Sequence, residues 1–240
     1  MKSNKMYQVS TIQALSLGYT RPVVTVAKLL SKGDTGLGAF ESVNGEMIVL
    51  DGNCYQANDE GDVYQATPEM GIPFASVSTL DDCKSFSIDH PTELNSLREL
   101  LTQKIEEDFG LNSMHIARID GIFSEIKARS ESPLIAHHVS LKEILSATQN
   151  EFSFHNIEGT LVCIYYPEYM KGINATGWHI HFLSSDFTKG GHVFEVKMPS
   201  AKVRLSTISS LEIQLPEDPA FDTYSLHEAS DEEIKEVEQK

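Results

Sequence analysis

The chain has 240 residues, 40% of them hydrophobic and 22% charged, enough apolar material for one large or two small packed domains without covalent staples. Nineteen basic against thirty-five acidic residues leave a formal charge of −16, which argues against nucleic acid or an anionic membrane surface as the main partner. An anionic substrate would have to be drawn in by local positive charge, such as a metal ion or a well-placed arginine.

Cys54, Cys83 and Cys163 are odd in number and far apart, with no C-x-x-C spacing, and read as small buried apolar residues rather than a disulfide framework. The first twenty residues lack the continuous apolar core of a signal peptide, and no later stretch approaches eighteen apolar residues. A cytoplasmic, soluble protein is the expectation. Only the last two dozen residues are too polar to pack by themselves.

In chain order, Ser10-Thr11-Ile12-Gln13 has the form of a capping box, and Gly18 can close the short helix it opens. A second helix is predicted from Val23 to Ser31, stopped by Gly33. From Leu37 to Val77 β-formers are broken by Asn44-Gly45, Asp51-Gly52 and Glu60-Gly61, the pattern of a meander. Leu94, Leu97, Leu101 and Ile105 predict a packing helix within Pro91 to Phe109.

Met114 to Ile126 has strand character, and Ser130 to Pro133 is a polar break placed at the boundary between an N-terminal domain, 1–130, and a C-terminal domain, 131–240. A second capping box spans Ser140 to Glu143, and Gly159 to Leu215 reads as successive strands. The order implies an α+β fold with two related mixed or antiparallel sheet layers and flanking helices.

The segment from Gly177 to Val196 carries the most chemistry. Residues two apart on a strand share a face, so His179 and His181 project together, away from Trp178, Ile180 and Phe182. If the chain folds back as a hairpin centred between Asp186 and Phe187, residue 181 lies opposite 192, and His192 joins the pair unless Gly190-Gly191 carries a bulge. Three imidazoles without a fourth protein ligand are the donor set of a catalytic zinc site, which keeps coordination positions open. A lone His-x-His pair is more often a coincidence of polar positions; the third histidine at hairpin spacing is what favours a metal site here. The same three rings also suit copper, nickel, cobalt or iron. His137 and His138 would face opposite ways on a strand, and His90, His115, His155 and His227 stand alone.

Tyr7-Gln8, Gly33-Asp34-Thr35-Gly36-Leu37-Gly38-Ala39-Phe40, Asn44-Gly45-Glu46, Asp51-Gly52 with Tyr55, Ile72-Pro73-Phe74-Ala75, Gly121-Ile122-Phe123, Lys127-Ala128-Arg129 and the histidine segment together resemble the α-acetolactate decarboxylases. These are zinc enzymes that convert acetolactate to acetoin and carbon dioxide. The resemblance implies Zn2+ on His179, His181 and His192, an essential Arg129, and essential glutamates at Glu46 and Glu238. It also implies a homodimer, (S)-2-acetolactate as substrate with (R)-acetoin as product, and tolerance of the ethyl-bearing 2-acetohydroxybutyrate. Ala39 departs from the pattern, since related sequences often carry threonine there.

On its own, Arg129 reads as a strand-surface salt-bridge residue and Glu46 as a solvated residue beside a turn. Glu238 lies in a tail that holds nine acids and two bases from Pro216 onward, the composition of a disordered segment. The histidine segment also resembles the plant and prokaryote conserved domain, a non-catalytic metal-stabilised binding domain, for which Glu46, Arg129 and Glu238 would be idle. A zinc hydrolase acting through a metal-bound hydroxide is the third reading.

Overall fold

The computed structural model describes residues 4–228, Ser230 and Ile234. Strand β1 (Asn4–Val9) leads into α1 (Ile12–Ser16), which is capped by Thr11, whose side chain accepts from the Ala14 N–H, rather than by Ser10. Ser10 itself has φ +59, so the expected box does not form, while Gly18 at φ +85 closes the turn. The second helix is shorter than its sequence suggests: β2 (Val24–Thr25) pairs with β7 (Gly71–Ile72), and only then does α2 (Val26–Leu30) begin. Two β-branched residues in succession with a strand partner at hand outweigh the helical reading.

The meander follows as β3 (Thr35–Ala39), β4 (Glu46–Leu50), β5 (Asn53–Ala57), β6 (Val63–Gln65), β7 and β8 (Phe74–Ser78). Strand β9 (Lys84–Ile88) and the short β10 (Thr92–Glu93) precede α3 (Leu94–Asp108), which buries Leu94, Leu97, Leu101 and Ile105 as the spacing predicts. β11 runs from Met114 to Glu131, five residues beyond its expected end and into the polar stretch. The Ser140–Glu143 capping box is present and opens α4 (Leu141–Thr148). Then come β12 (Gln149–Tyr166), β13 (Gly177–Ser184), β14 (Gly190–Met198) and β15 (Ala201–Gln214).

The fold is α+β, with mixed sheet and a few flanking helices. Thirteen strands share one hydrogen-bonded network, and β1 is its join: it pairs in parallel with β15 and antiparallel with β8. β11 is paired along its length with β12, by its first half with β15 and by its second with β14. Because β12 pairs β13 and β13 pairs β14, these four strands close on themselves. Trp178, Ile180, Phe182, Val193 and Val196 pack with α3 in one core. The alternate face of β13 is turned toward β4, where Ile48 clusters with Val162 and Leu183. That junction holds the site.

Candidate metal centre

The hairpin has the expected register: His181 lies opposite His192, Phe182 opposite Gly191 and Leu183 opposite Gly190. Asp186 and Phe187 form its tip, where Asp186 Oδ1 accepts from the Ser184 hydroxyl and the Thr188 N–H and Phe187 takes φ +58. The irregularity lies instead where β14 pairs with β11: Lys127 faces Glu195 and Ala128 faces Val193, which leaves Phe194 of β14 as the extra residue. Directly opposed residues share a face, so the three rings converge. His179 Nε2 is 3.0 Å from His181 Nε2 and 3.2 Å from His192 Nδ1, and the three donor atoms lie within 4.8 Å of one another.

All three rings are buried, between 0% and 6% exposed. Burial pushes the His181 pKa down to about 4, with the Arg129 charge adding to the effect and the hydrogen bond to the Met47 carbonyl opposing it. His179 and His192 are also pushed well down, by burial first, with His181 and Arg129 adding to the effect on both and His179 to that on His192. Neutral imidazoles are what a metal ion requires. His181 Nδ1 lies 2.9 Å from the Met47 carbonyl, which only accepts, so its hydrogen is on Nδ1 and its Nε2 lone pair points at the other rings. A tetrahedral zinc ion with Zn–N of about 2.0–2.1 Å holds its nitrogens roughly 3.3–3.4 Å apart. The donor set present fits such an ion.

Glu46, at the start of β4, reaches the cluster from the N-terminal half. Its Oε2 is 3.4 Å from His181 Nε2 and its Oε1 3.9 Å from His192 Nδ1. Its N–H donates to Ser130 Oγ at 3.1 Å, and the Ser130 hydroxyl donates to the Ala57 carbonyl at 2.8 Å, which pins β4 against β11. The preceding loop has Ser42 at φ +61 and Val43 at φ +52; a β-branched residue in that region is strained backbone beside a site. Arg129 stands opposite His192 across the β11–β14 pair, with Nη2 3.4 Å from its Nε2. A small cavity joins Glu46, Arg129, His179 and His192 to an apolar wall of Leu15, Val43, Phe74, Leu141 and Leu145.

The model of one family, alpha-acetolactate decarboxylase, matches residues 6–228. The chain belongs to that family. It is 35% identical over 236 residues to an alpha-acetolactate decarboxylase of Methanosarcina mazei, covering 98% of this chain and 81% of that one. It is 30% identical to one from Brevibacillus brevis, again over 98% and 81%. A crystal structure of alpha-acetolactate decarboxylase from Bacillus subtilis strain 168 superposes with a TM-score of 0.93 at 26% identity, over 98% of this chain and all of that one. The match begins in β1, so the likeness takes in the N-terminal half as well as the histidine hairpin.

For a member of this decarboxylase family, the cavity also holds residues that sequence reading missed. Glu131 and Gln149 line it, as do Gly38 and Ala39. Glu131 has no motif to mark it; only its alternation with Arg129 on one strand would have pointed inward. Glu238 lies outside the described residues. Ile234, four positions earlier, packs with Leu15, Val43, Phe74 and Leu141, the side chains of the cavity wall. The other histidines are elsewhere: His115 is buried against Phe109 and Tyr165, and His138 stacks on Tyr224.

Proposed function

We propose that this chain decarboxylates (S)-2-acetolactate to (R)-acetoin and carbon dioxide at the cavity shared by His179, His181, His192, Arg129 and Glu46. The observation that carries the reading is that a cluster of three neutral imidazoles, two of them lining a cavity together with the Arg129 guanidinium and the Glu46 carboxylate, lies in a chain of the acetolactate decarboxylase family. Zinc on the three histidines would supply Lewis-acid polarisation of the substrate ketone, a contribution commonly of several kcal/mol.

The chain's own groups supply the rest. Loss of carbon dioxide leaves an electron pair beside the former ketone, and the resulting enediolate has to be held until a proton arrives. Arg129 offers a fork of donors that suits a carboxylate before the loss and an oxyanion after it. Its burial among apolar residues strengthens that attraction over its value in water. Glu46, fixed by Ser130 on one side of the cavity, is placed to deliver a proton to one face of the planar enediolate, and one-sided delivery accounts for a single enantiomer. Glu238 is proposed as the second proton-handling carboxylate.

A homodimer and a reducing cytoplasmic setting complete the proposal. Three free cysteines, two of them buried, accord with the latter, and no helix among the described residues is long and apolar enough to cross a membrane. Sedimentation at two concentrations reads the former. The central test mixes metal-loaded protein with racemic acetolactate and follows carbon dioxide and acetoin by chiral chromatography. Chelator-sensitive release of one acetoin enantiomer is the expected result, and zinc-replete protein that releases no acetoin would overturn the reading.

A further inference from the structure

Cations are scarce on this chain, and most of those described are paired, as Lys84 is with Asp108, Lys127 with Glu195 and Lys189 with Asp62. Lys202 and Arg204 of β15 form no ion pair among the described residues. They stand two apart on one face of the strand, directly opposite the exposed Ser87 and Ser85 of β9. On its other edge β15 meets β11, which sets Asp120 opposite Lys202 and Arg118 opposite Arg204.

Register alone would give Lys202 a partner in Asp120. That carboxylate is turned to Arg118 instead, accepting from its Nε at 2.7 and 3.0 Å, and its Oδ1 also accepts from the Thr160 hydroxyl at 2.6 Å. Arg118 donates through Nη1 to both oxygens of Asp51, at 2.8 and 2.9 Å, so it too is balanced. Arg204 is left facing a like charge across the ladder with no acid of its own, an arrangement that ordinarily weakens a strand pair.

Lys202, Arg204, Ser85 and Ser87 line one groove, in which Asp120, already engaged, is the one acid. Strand geometry sets the four at the corners of a rectangle of roughly 5 by 7 Å, within reach of a single small ligand. An ammonium, a guanidinium and two hydroxyls supply donors to a tetrahedral oxyanion. We propose that this groove between β9 and β15 binds a phosphate group, carried by the free ion or by a small phosphomonoester. The overall charge of −16 repels such an anion at long range, so binding depends on these particular contacts. The groove shares no lining residue with the histidine cavity, and the inference stands apart from the decarboxylase reading.

The test titrates inorganic phosphate, and separately glycerol 3-phosphate, into zinc-loaded full-length protein and follows the phosphorus resonance, at an ionic strength of about 0.15 M so that diffuse attraction is screened. Wild type should saturate with a Kd of roughly 1 mM or below for at least one of the two. In the double variant Lys202→Gln with Arg204→Gln the Kd should rise by roughly tenfold or more, with melting temperature and zinc content unchanged. Tighter binding of glycerol 3-phosphate would make a phosphomonoester the natural source, and equal or tighter binding of phosphate the free ion. If the double variant does not fold, Lys202→Gln and Arg204→Gln singly should each weaken binding several-fold. No saturation in wild type up to roughly 20 mM of either anion would overturn the proposal. So would equal binding by wild type and the folded variants, because the anion would then lie elsewhere, at the histidine cluster and Arg129.

Discussion

Arg129 and His192 stand opposite each other on neighbouring strands, the guanidinium Nη2 3.4 Å from the ring Nε2. A guanidinium only donates, so in this arrangement Nε2 accepts and the hydrogen of the neutral ring lies on Nδ1, the nitrogen that faces His179. A cation at the cluster needs the Nδ1 lone pair, which moves the hydrogen to Nε2 and ends the contact with Arg129. A metal held through Nδ1 would therefore replace this one contact between Arg129 and His192.

Arg129→Gln should act in two opposite directions. Removing a fixed positive charge from beside the histidines should leave zinc bound as tightly or more tightly, read by competition with a chelating dye. The same change should lower kcat/KM by roughly a hundredfold or more through loss of the charged fork. Arg129→Lys keeps the charge and should recover only part. Weakened zinc binding in Arg129→Gln would contradict the tautomer argument.

His181 tests the cluster from its buried side. In His181→Ala the Met47 carbonyl loses its donor and the site loses a ligand, so zinc affinity should drop by roughly a hundredfold or more. The melting temperature of wild type should rise on adding zinc, and that of the variant should not. A variant that retains one zinc per chain through dialysis would place the ion elsewhere.

The histidine cluster was legible because two rules settle it: alternation on a strand sets 179 with 181, and the constant sum across a hairpin sets 181 opposite 192. The helix of Leu94, Leu97, Leu101 and Ile105 was legible for the same kind of reason. Arg129 was marked by the family resemblance alone, and Ser130 and Glu131 by nothing, because polar residues before Pro133 look like a loop. They continue β11 as strand only because β12, β14 and α4 cover them, a long-range fact with no local trace. Leu141 and Leu145 announce an apolar helix face, but not that the face borders a cavity. Ile234 is a single apolar residue in an acidic run, too little for any period to register, yet it is 6% exposed.

Glu46→Gln preserves shape and removes the ability to move a proton. Zinc content should be unchanged and kcat should fall by roughly 10²- to 10⁴-fold, the usual range for loss of a positioned acid or base. Any product still formed should show reduced enantiomeric excess, because protonation from solvent has no preferred face. A kcat within a few-fold of wild type would remove Glu46 from proton delivery.

His115 reports on acid stability, away from the site. Its ring is fully buried with Nε2 3.1 Å from the Gly110 carbonyl, and burial lowers its pKa from 6.5 to about 4. The folded value lies below the unfolded one, so as pH falls below 6.5 the unfolded chain takes up the proton first. Stability is therefore lost between pH 6.5 and 4, by up to about 3 kcal/mol from this group. His115→Gln keeps a donor for Gly110 without the titration, and urea denaturation at pH 7 and pH 4.5 should show a smaller loss in the variant. An equal loss in both would assign the acid sensitivity to other groups.

The C-terminal segment separates packing from chemistry. Ile234 belongs to the cluster of Ile12, Leu15, Val43, Phe74, Leu141 and Ile144, several of which form the cavity wall from behind. Deleting the last eight residues, 233–240, removes both Ile234 and Glu238, and should abolish activity while leaving zinc bound. A chain ending at Ile234 keeps the apolar contact and lacks only residues 235–240. If Glu238 handles a proton, that shorter deletion should lower kcat by roughly a hundredfold or more with an unchanged melting temperature. If the tail serves only to cover the cavity, activity should survive the shorter deletion and fail in the longer one, together with a lower melting temperature from the loss of a buried isoleucine.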